Sequence, residues 1–139
     1  MSKLLTCVPA VHIGNCPLTS NRRAVKRRFG KPTKCEHTYD DLFVVEYETI
    51  LTQFVFGDKN SCMLFAVTEY PNLAFWGQSL IGEKVELVCD CFRSNGHSII
   101  ENNQITSISR TIEFGCDCAL TFVHDKLTSV VLLNPELQG

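Results

Sequence analysis

No apolar run in this chain of 139 residues reaches the roughly 18 to 20 residues that a membrane-crossing helix needs. Phosphate-cradling glycine loops are missing, as are Cys-x-x-Cys knuckles and the established RNA-binding motifs. These gaps remove the common nucleotide-hydrolysing and zinc-knuckle readings. Lys3 followed by LLTCVPAV has the outline of a secretory leader, but the run is short, Pro9 interrupts it and polar residues come next. The expectation is a soluble, intracellular chain. Disorder is not indicated, because 45% of residues are hydrophobic and 20% charged, with a formal net charge of −2. One domain, 1–139, suits that length.

Acid is absent where base is dense. RRAVKRRFGKPTK, 22–34, holds seven of the thirteen basic residues and no acid, which leaves 6 basic against 15 acidic residues elsewhere. Segregation of this kind points to an anionic partner. Arg22, Arg23, Lys26, Arg27, Arg28, Lys31 and Lys34 are the candidate contacts to nucleic acid, through phosphate neutralisation that ignores sequence and weakens with salt. Ser20 or Asn21 can cap a helix over 21–29, Val25 and Phe29 give it a narrow apolar stripe, and Gly30 with Pro32 ends it. Phe29 either stacks on a base or packs under the helix. The competing readings are a solvated helix and a nuclear import signal.

Eight cysteines are many for this length. In a secreted protein they form up to four disulfides; in the cytosol they stay reduced for metal binding or packing. The unconvincing leader, and pairs too close to cross-link internally, favour the reduced state. Two segments share one template, CDCFRSNGH at 89–97 and CDCALTFVH at 116–124. KVELVCDCF reads as a strand and Asn95-Gly96 as a hairpin turn, which puts His97 on the face opposite Cys89 and Cys91. His124 lies about 20 Å from Cys118 along a straight strand. One metal per copy therefore fails. A shared zinc site is better: Cys89, Cys91, Cys116 and Cys118 offer four thiolates, at sulfur–metal distances of about 2.3 Å, and Cys35 with His37 can replace one pair. Such a site is structural, because four protein ligands leave no position for a substrate. Buried thiols are the alternative, and Cys62 in SCMLFAV is expected in the core. His12, His97 and His124 read as hydrogen-bonded structural residues, and Cys7 and Cys16 stay open.

The remaining chain reads as β. LFVVEYETILTQFVFG, 42–57, is rich in β-branched and aromatic residues, and GDKN turns it into SCMLFAV. Pro71 to Gly82 is a helical turn or loop around Trp76. ITSISRTIEF sets Ile108, Ile112 and Phe114 on one face of a half-buried strand. CALTFVH and LTSVVLL form a hairpin near Asp125-Lys126, before a frayed tail at 134–139. The fold class expected is α+β, mainly antiparallel hairpins with one or two short helices, and with residues 84–133 as a cysteine-rich β region. Catalysis is not expected: a nucleophilic cysteine needs a base and an orienting group, and Cys35–His37 and Cys16–His12 can be drawn as dyads, but neither has recognisable surroundings. A cysteine-dependent enzyme is the minor alternative.

At VELVCDCFRS, 85–94, the chain resembles the small first-open-reading-frame proteins of sobemoviruses, in which an apolar run leads into a cysteine pair and then charged residues. The resemblance implies a plant-virus accessory protein that suppresses host RNA silencing and assists virus movement, with structural zinc in at least one member. On its terms Cys89 and Cys91 are the carried-over ligands, and Cys116 and Cys118 join them by their matching pattern. Partners are then RNA or a host protein of the silencing pathway, with no membrane and with a homo-oligomer open. The location is host cytoplasm or nucleus. The alternative is a protein-interaction module that sequesters a host factor without binding RNA.

Overall fold

The computed structural model describes residues 4–57 and 62–137. Alternation at the start of the chain buries Leu5 and Cys7 in β1 (Leu5–Val8), which folds back through two short strands, β2 (His12–Ile13) and β3 (Cys16–Pro17). Asn21 then starts helix α1 (Arg22–Phe29) because its side-chain oxygen accepts from the Ala24 amide at 2.9 Å. Gly30, at φ 86°, ends it by donating to the Lys26 carbonyl. Both ends agree with the sequence reading.

Beyond the helix, strand-forming residues dominate and build β4 (Lys34–His37), β5 (Phe43–Tyr47), β6 (Thr52–Phe56) and β7 (Met63–Thr68). The expected run over 42–57 is therefore two strands, parted by a 3-10 turn at Glu48–Ile50. Of the expected turn after it, 58–60 lie outside the described residues. The Trp76 segment is a small hairpin, β8 (Leu73–Phe75) and β9 (Gln78–Ser79), rather than a helical turn or open loop. Trp76 and Gly77 both have positive φ, 50° and 82°, which is what a tight two-residue hairpin turn requires.

The largest departure from the sequence reading is α2 (Val85–Ser94). KVELVCDCF is a helix, not a strand, and residues 84–133 are accordingly not all β. Val85, Val88, Cys89 and Phe92 fall at helical spacing and form its inner face. Asn95-Gly96 closes the helix instead of turning a hairpin: the Gly96 amide donates to the Arg93 carbonyl, and Asn95 Nδ2 to the Cys91 carbonyl at 2.8 Å. The remaining strands are β10 (Ile99–Gln104), β11 (Ser109–Phe114), β12 (Cys118–Val123) and β13 (Lys126–Leu133). Ile112 and Phe114 are buried as expected, whereas Ile108 precedes β11 and is exposed. The β12–β13 turn is His124-Asp125, one residue earlier than expected. The tail is anchored at its start, since Asn134 is buried and its Nδ2 donates to the Met63 carbonyl across 71 residues of sequence.

Two sheets result. One has the order β3-β2-β1-β8-β9, with β1 and β8 parallel; the other is antiparallel throughout, in the order β10-β11-β12-β13-β7-β6-β5-β4. The larger sheet is two four-strand meanders, from opposite sides of α2 in sequence, joined where β13 pairs with β7. The fold is thus mostly antiparallel β with two short helices. Phe92 links the layers: its ring stacks on Phe114 of the large sheet at 4.5 Å and meets Phe75 of the small sheet at 5.3 Å.

Candidate functional site

Helix α1 forms against its own electrostatics. Arg22–Lys26 and Arg23–Arg27 are like-charged at four-residue spacing, each costing about 0.2–0.5 kcal/mol in a helix. No acid sits in the first turn to complement the positive end of the dipole. The Asn21 cap and the packing of Val25 and Phe29 hold it. Phe29 lies 5.3 Å from Phe54 and 5.6 Å from Tyr47, and a Cβ on Gly14 would come within 2.9 Å of its ring. Phe29 thus packs under the helix while staying only partly buried.

That anchoring sorts the seven basic residues. Arg23, Arg27, Arg28, Lys31 and Lys34 are exposed, while Arg22 and Lys26 are half-buried. Arg28 carries its guanidinium 5.1 Å from the Phe29 ring centroid. Lys34 Nζ is 3.9 Å from Glu36 Oε2, an exposed and weak pair. Arg22 turns to the sheet instead, with its guanidinium 4.8 Å from the Phe43 ring centroid. Sequence spacing places all seven together but does not reveal this division.

The six candidate zinc ligands are not brought together. Cys89 and Cys91 sit on α2, where two residues of separation point side chains about 200° apart. Cys116 and Asp117 lie in the three-residue turn between β11 and β12, and Cys118 opens β12. The two copies of the template thus have different conformations, one helical and one a tight turn with Asp117 at φ 56°. Cys35 and His37 are on β4, five strand positions from β12, or about 24 Å across a flat sheet. Among the described residues no group of three or more His, Cys, Asp or Glu is arranged to hold a metal ion. As placed, these side chains do not form a tetrahedral set.

Burial instead gathers different thiols. It pushes the Cys118 thiol far up, with Cys7 and Cys116 adding to the effect, and it raises Cys7 likewise with Cys116 contributing. Cys116 is pushed up to about 11, chiefly by burial. Cys7, left open by its sequence surroundings, thereby joins the second Cys-Asp-Cys pair in one apolar neighbourhood. Cys62, expected in the core, is exposed. All eight cysteines are free thiols.

The two Cys–His pairs differ: Cys16 and His12 are split between faces, whereas Cys35 and His37 are on the same one. Cys16 lies opposite Ile13 and donates to Ser20 Oγ at 3.5 Å, while the neighbouring His12 lies opposite Pro17 and points to the other face. Cys35 and His37 do share a face of β4, and His37 Nε2 is 3.2 Å from Asp41 Oδ1. His97 stacks on Trp76 at 5.4 Å, and His124 occupies the β12–β13 turn.

No family model and no curated protein matches the chain. Among solved structures it is similar to an extracellular protein containing a SCP domain from Bacillus anthracis str. Ames, at 15% identity and a TM-score of 0.57. The match covers 86% of this chain and 45% of that one, so this chain spans less than half of that protein's length. At that identity the likeness carries the fold alone.

Proposed function

We propose that this chain is a non-enzymatic accessory protein that binds RNA without sequence preference through the exposed cationic face of α1 and the strand after it. The observation that carries this reading is the cluster Arg23, Arg27, Arg28, Lys31 and Lys34, all exposed, in a segment with no acid between 22 and 34. A like-charged helix surface is costly alone and is relieved by phosphate, whose binding releases counterions. With the sobemovirus resemblance at 85–94, the reading becomes suppression of host RNA silencing and support of virus movement, in host cytoplasm or nucleus.

The test is fluorescence anisotropy of labelled single- and double-stranded RNA across a salt series. Replacing Arg23, Arg27 and Arg28 with Ala is expected to weaken binding and to flatten the log–log salt slope by about 0.7 per lost contact on single strands. Equal affinity and slope in the variant would remove this mechanism. A host protein captured by a chain with no RNA affinity at physiological salt would favour the sequestering alternative. Structural zinc is a separate proposal, supported by the donor chemistry of the paired cysteines rather than by their placement, and metal analysis of the purified chain decides it.

A further inference from the structure

The large sheet ends on β4, and that edge is open. β4 pairs with β5 and, among the described residues, with no other strand, and all four of its residues are exposed. The Thr38 amide donates to the Leu42 carbonyl, so antiparallel alternation turns the peptide groups of Lys34 and Glu36 toward β5 and leaves those of Cys35 and His37 facing outward. Unpaired N–H and C=O groups on an edge are a template for another strand, and proteins blunt them with bulges or with lysine. β10, the opposite edge, carries a register shift between Ile99 and Glu101, whereas β4 keeps an unbroken register from Lys34 to His37.

The charge on β4 is of both signs. Lys34 and Glu36 share one face, with Nζ and Oε2 3.9 Å apart, and Cys35 and His37 share the other. A lysine alone on an edge repels a second copy; a lysine two residues before a glutamate is complementary to it. A second β4, added antiparallel about a two-fold axis normal to the sheet, keeps each face on its own side. An axis through Lys34 or through Glu36 then sets like charges directly opposite, which is destabilising. An axis through His37 leaves Lys34 and Glu36 with no opposite charge across the strands. An axis through Cys35 sets Lys34 of each copy opposite Glu36 of the other, and aims each outward Cys35 amide at the Cys35 carbonyl of the other copy. Such a contact is isologous and closes at two copies.

We infer that the chain forms a two-fold homodimer through β4, with Cys35 on the axis and reciprocal Lys34–Glu36 ion pairs, so that the eight-stranded sheet continues across both copies. A four-residue edge is short, which places the dimer with small, transient interfaces rather than obligate ones. Helix α1, whose Arg22 lies over the Phe43 ring, comes to the same side of the joined sheet in both copies. The repulsion between the two helices opposes association and is screened beyond about 8 Å at physiological salt. The dimer does not depend on the RNA reading.

Sedimentation velocity of the full chain, in reductant and across a concentration series, tests this interface. Reversible monomer–dimer association is expected. Lys34→Glu and Glu36→Lys should each weaken it by about tenfold or more, because each turns two attractive pairs into two repulsive ones. The double variant, which swaps the charges, should restore it. Both side chains are exposed, and circular dichroism checks that the variants stay folded. In a Cys62→Ser background, diamide takes up two thiol hydrogens as an S–S bond forms, and it should link two copies through Cys35. The Cα atoms of a hydrogen-bonded cross-strand pair lie about 5.5 Å apart, within the span of a disulfide. Cys35→Ser should abolish that link and keep the non-covalent dimer. A chain that stays monomeric into the millimolar range, or a dimer indifferent to both charge reversals, overturns the β4 interface. A dimer that responds to charge but forms no Cys35 link overturns the axis at Cys35.

Discussion

A cysteine read in a sequence is at once a small apolar residue and a soft ligand, and only its surroundings separate the two. Here burial raises the thiols of Cys7, Cys16, Cys89, Cys91, Cys116 and Cys118. An unfolded thiol releases its proton near pH 8.5, whereas these hold theirs to higher pH. Above about 8.5 the unfolded chain thus binds fewer protons than the folded one, and stability must fall as pH rises. Below that pH neither state titrates these groups, so they leave stability level. Each deeply buried thiol, such as Cys7 or Cys118, adds a slope of about 1.4 kcal/mol per pH unit between its unfolded and folded values. The urea midpoint measured with reductant present should therefore be steady from pH 7 to 8 and decline from about 8.5 to 10. A level midpoint across that range would mean that the thiols are solvated. The pairing of cysteines was legible as a pattern, but their burial was not, as the exposed Cys62 and the gathered Cys7 both show.

At the scale of elements, legibility depended on the number of periods a segment satisfies. Helix α1 satisfies one: a cap at Asn21, apolar residues four apart at Val25 and Phe29, and a glycine stop at Gly30. Asn21→Ala should lower stability by about 1 kcal/mol, and Asn21→Asp should restore it while complementing the dipole. Chemical denaturation measures both; an unaffected alanine variant would show that packing alone holds the helix. Helix α2 satisfies two periods at once. Val85, Leu87, Cys89 and Cys91 alternate as a strand does, while Val85, Val88, Cys89 and Phe92 recur as on a helix. The fold selects the second pattern, leaving Leu87 exposed so that Phe92 is wholly buried. Ten residues cannot make that choice locally, because the free energy that decides it comes from the aromatic seat between the sheets.

For the molecule as a whole, Phe92 is the residue on which both sheets converge. It touches Phe75, Trp76 and Phe114, and buried residues from both sheets belong to one core. Phe92→Ala should cost about 3–5 kcal/mol, a large share of the roughly 5–15 kcal/mol that stabilises a domain. Near-ultraviolet dichroism, which sees Trp76, and far-ultraviolet dichroism, which sees the strands, should lose their signals together at a lower urea concentration. Separate transitions would show that the two sheets fold independently.

The sequence by itself determined the local terms: the β-rich composition, the capped cationic helix, the hairpin at 118–133, and the segregation of charge onto 22–34. Each of these depends on neighbours within a few residues, whose propensities and spacing are written in order along the chain. Tertiary structure decided the rest: the helical state of 85–94, the parallel β1–β8 pair, the β7–β13 seam between the meanders, and the division of the arginines into an exposed face and one half-buried against Phe43. Those outcomes depend on which distant apolar surfaces meet, and the free energy of burying them exceeds the local preferences that a reading along the chain can weigh.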